Sequence, residues 1–225
     1  MANQTTQTAL SAGITTIVMG GLYLQNTFSF KVYVFAVLIC LLGNLIANLD
    51  QDNPNALFSA NANLGIVVVI MLTLYLYASF GLLLTLAIAA GIYLLSRYAI
   101  PPLLSNPNIR HALHTPPMGL LLLACLIIIC QHHFGYTLTI TMSYGLAFLY
   151  GYLIALILDG ISNVDYAQNN TKARWHISFR CYDHIVWWLY SLIYIALFTS
   201  LWFLPNFNEM YLTTKSLLSQ LNLWW

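Results

Sequence analysis

Long apolar runs separated by short polar stretches dominate the chain. Seven runs fall at about 9–25, 30–49, 63–78, 80–100, 117–133, 136–158 and 184–204. Each is near the roughly 20 residues that a helix needs to cross a bilayer. The apolar stretch from 64 to 100 is too long for one crossing. We expect it to break at Ala78-Ser79-Phe80-Gly81, because Ser and Gly loosen a helix. The pattern predicts an all-α, polytopic membrane bundle of about seven transmembrane helices, with six or eight as the alternatives.

The composition also indicates a membrane protein. Of the 225 residues, 60% are hydrophobic and 6% are charged, whereas a soluble domain carries about 25% charged residues. The net charge of +1 favours no nucleic-acid partner and no polyanion, so membrane lipids are the expected partners. The four cysteines have no CxxC spacing and are interpreted as small apolar residues. The N-terminus lacks a basic region, and we expect no cleavable signal peptide.

The runs are expected to form one transmembrane helical domain over 1–204. A short tail at 205–225 ends in two Trp, which suit a membrane interface. With seven crossings, the polar loops at 45–62, 97–117 and 159–183 share one face. Five of the seven basic residues lie on that side: Arg97, Arg110, Lys172, Arg174 and Arg180. The positive-inside rule makes this side cytoplasmic, and we expect a bacterial inner-membrane protein.

Three polar stretches on that face carry the candidate chemistry. They read LIANLDQDNP at 45–54, IRHALHTPP at 109–117 and GYLIALILDGISNVD at 151–165. Acids clustered at the end of a membrane segment are costly unless they are solvated, paired or bound to a cation. Asp50 and Asp52 are therefore either part of a solvated turn or ligands of a cation.

Histidines and a further acid stand in the other two stretches. His111 and His114 are three residues apart and share a face if the stretch is helical. Pro116-Pro117 is tolerated only in the first turn of a helix. Asp159 ends an apolar run, and Gly160 is a fitting stop residue. An acid there meets the negative end of the helix dipole, which is unfavourable unless a cation compensates it. Carboxylates and imidazoles from three loops predict a metal site, and a solvated polar face with arginine partners is the alternative.

Together these stretches resemble the YdjM-like family of membrane-bound metal-dependent hydrolases. That family typically opens Met-Ala-Asn-Phe-x-Thr-His and then shows Leu-Pro-Asp-x-Asp followed by a polar residue and Asp-Asn. Later come His-Arg-Gly-x-x-His-Ser with a nearby Pro, and Gly-Tyr-x-x-His-x-x-x-Asp with a downstream Val-Asp. This chain opens MANQTTQ and has LIANLDQDN, IRHALHTPP and GYLIALILDGISNVD in the same order, over about residues 1–166.

The chain departs from the family pattern at several ligand positions. Gln7 stands at the first His, and Ala47 and Asn48 stand at the Pro and the first Asp. Ile109 stands at the first His of the second motif, and Ala155 at the His of the third. Ile and Ala cannot bind a metal, so a remaining site is degraded and oxygen-rich. Such a site prefers magnesium, calcium or manganese to zinc. The matching positions that remain are Asp50, Asp52, Arg110, His114, Asp159 and Asp165.

The resemblance implies roles for the residues that remain. Asp50, His114 and Asp159 would hold a divalent metal ion. Asp52 would orient a ligand or act as the base, and Arg110 would steady developing negative charge.

Two functions stay open, and whether the chain is an enzyme is undecided. The first is a metal-dependent hydrolase acting on a lipid-like ester or phosphoester at the cytoplasmic interface. The second is a catalytically inactive membrane protein that keeps the fold and serves a structural or interaction role, its metal ion lost. A transporter or channel is the third hypothesis: the lack of a charged residue in the middle of an apolar run argues against an ion-coupled carrier but not against a passive one.

Overall fold

Helices are the regular elements of the chain. The computed structural model describes residues 4–25, 27–49, 54–98, 102, 112–113, 115–164 and 187–221, with side chains for all of these except 4–8, 54–60, 78–80, 159–164 and 221. The helices are α1 (Gln4–Leu24), α2 (Phe30–Ala47), α3 (Pro54–Tyr98), α4 (Pro116–Ile128), α5 (Leu138–Val164), α6 (Trp187–Leu201) and α7 (Phe207–Leu221). A π-helical turn, Ile129–His133, continues α4. The described ranges contain no strand, so the all-α prediction is confirmed for them.

Four helices in the described part of the chain are long and apolar enough to cross a bilayer. They are Phe30–Ala47, Gly81–Tyr98, Pro116–His133 and Leu138–Leu158. Shorter apolar helices cover Ala9–Leu24, Asn61–Tyr77 and Trp187–Leu201. The chain is therefore an integral membrane protein. Within the described ranges, a helix lies in each of the predicted runs. The predicted count of seven crossings is not confirmed, because only four of the described helices are long and apolar enough.

The predicted break in the third apolar stretch is confirmed at Gly81. This residue has φ 71° and ψ 172°, a region that only glycine adopts readily. It divides α3 into a first arm and a second arm. The arms are antiparallel and touch at their far ends, where the Asn61 side chain donates a hydrogen bond to the Ser96 carbonyl. A Cβ at Gly65 would collide with the Ser96 hydroxyl, so the hairpin is closely packed.

Close backbone contact between α2 and α5 forms the centre of the bundle. A Cβ at Gly43 would collide with the Phe148 carbonyl oxygen, and a Cβ at Gly151 would collide with the Cys40 carbonyl oxygen. Without a hydrophobic drive between helices in lipid, association depends on such close packing of small residues. Ala155, one turn further along α5, is also fully buried in the core. Around this pair, α1, α4, the first arm of α3 and α7 complete the core.

One end of the bundle, which we call the turn end, contains the short connection 134–137. Phe134 packs edge-on against Tyr75 of the first arm, with 5.1 Å between ring centroids. Tyr136 packs against Tyr144 near the start of α5, at 5.9 Å. Burial raises the pKa of the Tyr136 phenol, with smaller contributions from Tyr75 and Cys130. The first arm and α4 therefore finish at the turn end, and α5 starts there.

The last two helices meet at the same end. The His132 Nε2 atom lies 3.2 Å from the Phe203 carbonyl oxygen, so α6 finishes beside the end of α4. The side-chain amide of Gln25 donates to the Gln220 carbonyl at 3.2 Å, and the Thr27 hydroxyl donates to the Gln220 side chain at 3.4 Å. Both ends of α7 are thus at the turn end, and the helix lies across it.

The opposite end, which we call the motif end, is where α2 and α5 finish and α4 begins. The ring of Tyr152 lies against Gly119, whereas Leu123 and Ile127 lie against Gly145, so α4 and α5 are antiparallel. α5 therefore runs from the turn end to the motif end. The connection between α1 and α2 lies at the turn end, so α2 also runs from the turn end to the motif end.

Candidate functional site

Tyr152 connects the second and third polar stretches at the motif end. Its side chain is fully buried. Its hydroxyl lies within hydrogen-bond distance of the Leu113 carbonyl and 2.8 Å from the Thr115 carbonyl, and its single proton can serve either. Its ring occupies the space that the missing side chain of Gly119 leaves. Tyr152 therefore fixes the chain before α4 against the second half of α5.

The residues at the start of α4 have the conformations that their residue types favour. Thr115 has an extended conformation and stands at the cap position, and its hydroxyl donates to the Ala112 carbonyl at 2.7 Å. Pro116 and Pro117 are the first two helical residues. The missing N–H groups of these prolines would have no helical partner in any case. The prediction that the prolines belong to a first turn is confirmed.

Two buried asparagines lie one turn apart near the end of α2. The side-chain amide of Asn48 donates to the Asn44 carbonyl at 2.9 Å and to the Asn44 side-chain oxygen at 3.1 Å. The Nδ2 atom of Asn44 is buried and has no hydrogen-bond partner in the part of the chain that the structure describes. A buried donor costs about 1–3 kcal/mol if it stays unpaired, so an acceptor is expected beside it.

The ends of the α3 hairpin contribute further polar groups at the motif end. The Asn61 Oδ1 atom is buried without a partner among the described residues. Arg97 donates from Nη1 to the Tyr93 hydroxyl at 2.9 Å, and its guanidinium carbon lies 5.9 Å from the ring centroids of Tyr93 and Tyr98. Both rings are therefore aromatic partners of the Arg97 charge on its own helix.

The predicted site residues fall mostly outside the described residues. Those beyond the description are Asp50, Asp52, Arg110, His111, His114 and Asp165. Asp159 belongs to α5, but its side chain is among those not described. In the ranges that carry side chains, no group of three His, Cys, Asp or Glu residues is close enough to hold a metal. The predicted ligand set therefore stays a prediction.

The expected helix stop at Gly160 is wrong, because α5 continues to Val164. A glycine inside a helix costs only about 1 kcal/mol relative to alanine, and the packing of α5 on α2 and α4 outweighs that cost. Asp159 is therefore part of the helix, with five further helical residues after it. The dipole argument for a cation beside Asp159 is weaker than expected, since the dipole acts mainly within the last turn.

Two features of this end were not identified as functional from the sequence. The spacing of Asn44 and Asn48 inside an apolar run signals a buried polar pair on one helix face. Tyr152 is part of the Gly-Tyr pair in the third motif, but its partners are 37 and 39 residues away along the chain. Ala155, at the position of the family's histidine, is fully buried in the core.

The turn end differs from the motif end in the side chains that it carries. His132 and His133 are exposed there, at the finish of α4. His133 packs edge-on against Phe134, which belongs to an aromatic cluster of the kind that is typical of a membrane–water interface. The cluster consists of Tyr75, Phe134, Tyr136 and Tyr144, with Tyr23, Phe30 and Tyr33 packed together nearby on α1 and α2.

Comparison with protein-family models, curated proteins and solved structures finds no match to this chain. The resemblance to the YdjM-like family therefore rests on its four motifs.

Proposed function

We propose that this chain is a membrane-embedded metal-dependent hydrolase that acts on a lipid-like ester or phosphoester at the motif end. The observation that carries the proposal is the contact of the Tyr152 hydroxyl with the chain before α4. It joins the third polar stretch to the second, and α2, which ends in the first stretch, runs beside α5 to the same end. The helix ends that carry the three motifs therefore all lie at the motif end.

The donor set of the proposal suits a divalent cation. Asp50, His114 and Asp159 offer two carboxylates and one imidazole, which favours magnesium, calcium or manganese over zinc. The Asn44 Nδ2 atom at this end has no partner among the described residues, and it can donate to an acceptor oxygen, such as that of a ligating carboxylate or of the substrate. A cation held by this set would supply Lewis-acid activation of water.

The remaining residues of the proposal act on protons and charge. Asp52 accepts the proton of the attacking water, and Arg110 stabilises the negative charge that develops on the substrate. Tyr152 is a positioning residue, since it holds the chain that leads to His114 without itself touching the reacting atoms.

The proposal includes the seven-crossing topology, with the motif end cytoplasmic in a bacterial inner membrane. The reversal at Gly81 supports it, because it turns one long helix into two antiparallel arms. The positive-inside rule supports the orientation, with five of seven basic residues in loops of that end.

Metal content of the detergent-purified protein tests the proposal. We expect about one equivalent of a divalent ion per chain, lost in Asp159→Ala. Glu209→Ala is the matched control, because it removes an acid from α7 at the turn end and should leave the metal in place. A folded protein that binds none of several divalent ions offered would contradict the proposal.

A second candidate is a catalytically inactive membrane protein that keeps this fold for structure or interaction. The burial of Ala155 favours it, because an apolar side chain of the core occupies this position. The motif residues Gly151 and Tyr152 likewise serve packing. A folded wild type without metal, with no ester or phosphoester hydrolysis, is the outcome that this candidate predicts.

A further inference from the structure

An apolar groove runs between α1, α5 and α7. Its volume is about 340 Å³. Val18 and Leu22 line it from α1, Leu146 and Leu153 from α5, and Leu217 from α7. The three helices contact one another, and the groove opens to the outside of the bundle, where Ile14, Val18 and Leu218 are exposed.

Residues with three hydroxyl groups line the groove, and two of these hydroxyls, those of Thr15 and Ser143, are bonded within the protein. Thr15 Oγ1 lies 2.9 Å from the buried Cys40 Sγ, to which it donates. Ser143 Oγ donates to the Thr139 carbonyl at 2.8 Å. These two hydroxyl donors are therefore already used in bonds within the protein. The groove suits a hydrocarbon rather than a polar molecule.

The length of the groove along α5 matches the thickness of the hydrocarbon layer that one lipid leaflet contributes. It follows α5 from Ser143 to Leu153, which is ~15 Å at 1.5 Å per residue. This is half of the ~30 Å hydrocarbon core and equals the depth of one leaflet. It also lies within the apolar helix Leu138–Leu158, where neighbouring molecules in the membrane present acyl chains.

The two ends of the groove are lined differently, by α7 toward the turn end and by Leu153 of α5 toward the motif end. Leu217 of α7 lies at the turn end, and the contacts of Gln220 with Gln25 and Thr27 hold α7 there. Leu153, at the opposite end of the groove, is six residues before Asp159, or ~9 Å along the helix. A chain in the groove therefore extends from the motif end toward α7.

We infer that this groove binds one acyl chain of a membrane phospholipid whose ester end faces the motif end. The inference deepens the proposed function, on which it rests for the identity of the substrate as an acylated lipid. Binding of the acyl chain itself follows from the groove alone.

Photolabelling of the full-length protein tests the inference. The probe is phosphatidylethanolamine with a diazirine at the end of one acyl chain, in phosphatidylcholine nanodiscs. We expect saturable labelling of α1 and of 143–153, which unlabelled phosphatidylethanolamine competes away. Leu153→Trp fills the groove and should reduce this labelling about tenfold. The control Leu83→Trp, at a residue 87% exposed on the second arm of α3, should leave it unchanged.

Labelling that is unsaturable and follows exposure, strongest on the second arm of α3, would overturn the inference. The wild-type distribution decides this even if Leu153→Trp fails to fold. Failure of the proposed function gives a different result. In that case Asp159→Ala and the wild type both lack metal while the groove is still labelled. If the proposed function is right and only the inference about the groove is wrong, the wild type binds metal but the labelling of the groove is not specific.

Discussion

α5 and the second arm of α3 are both apolar helices, yet they occupy opposite situations in the bundle. Their mean hydropathies are 1.7 for Leu138–Leu158 and 1.5 for Gly81–Tyr98. Within the apolar 18-residue stretch of each helix, 61% of the residues are buried in the first helix but only 17% in the second. Hydropathy selects both helices for the membrane but does not decide which becomes the centre, because lipid is as apolar as a leucine-lined interface. The difference lies in how closely another backbone approaches.

The largest effect is expected from a side chain at the α2–α5 contact. In Gly151→Leu, the new Cβ meets the Cys40 carbonyl oxygen, and a backbone cannot move aside as a side chain can. We expect a loss of about 3 kcal/mol or more in the free energy of unfolding. Gly91→Leu on the second arm is the matched control, because no heavy atom lies within 4 Å of its Cβ position. Its effect should be neutral or stabilising, since Leu favours a helix by about 0.8 kcal/mol over Gly.

Unfolding by SDS in mixed dodecyl maltoside micelles measures both variants. Equal losses in Gly151→Leu and Gly91→Leu would mean that close approach does not distinguish the two helices. A large loss at Gly151 alone would establish α2–α5 as the stabilising centre.

A smaller loss in the free energy of unfolding is expected from a substitution in the hairpin turn between the two arms of α3. At φ 71° and ψ 172°, Gly81 has a conformation that a Cβ makes costly, although no atom crowds the position. Gly81→Ala should cost about 1–3 kcal/mol through the backbone alone. Gly13→Ala in α1 is the control, since it also has open space but an ordinary helical φ. An SDS unfolding midpoint of Gly81→Ala at or above the wild-type value would show that the turn is not constrained.

Much of this fold could be predicted from the sequence. The apolar runs indicate the helices, and Ser79 and Gly81 indicate the break in α3. The first-turn position of Pro116 follows from its missing N–H. These features depend on neighbours along the chain, which a sequence pattern records directly.

Long-range packing could not be predicted in the same way. The Gly151 contact with Cys40 joins positions 111 residues apart, so no local pattern indicates it. Gly160 was wrongly expected to end α5, because packing on other helices outweighs a weak local preference. The three motifs predicted that one end of the bundle is polar. The ligands Asp50 and His114 lie outside the described residues, so their geometry stays a prediction.

The smallest stability effect is expected at Tyr152, and it separates structure from function. In Tyr152→Phe, the Leu113 carbonyl loses its hydroxyl partner, whereas the Thr115 carbonyl keeps the N–H groups of Met118 and Gly119. One buried hydrogen bond is therefore lost, at a cost of about 1 kcal/mol. Tyr93→Phe on the second arm removes a comparable bond from Arg97 at a less buried position, and should cost less.

Metal content distinguishes these two tyrosines more sharply than stability does. If Tyr152 positions the chain that leads to His114, then Tyr152→Phe should weaken divalent metal binding about 10–100-fold, as loss of a group that orients a ligand does. Tyr93→Phe should bind metal like the wild type, because Arg97 and Tyr93 contact each other on a peripheral helix. Equal metal affinity in wild type and Tyr152→Phe would leave Tyr152 as a packing residue of α5, and the difference between the two helices would then be one of packing alone.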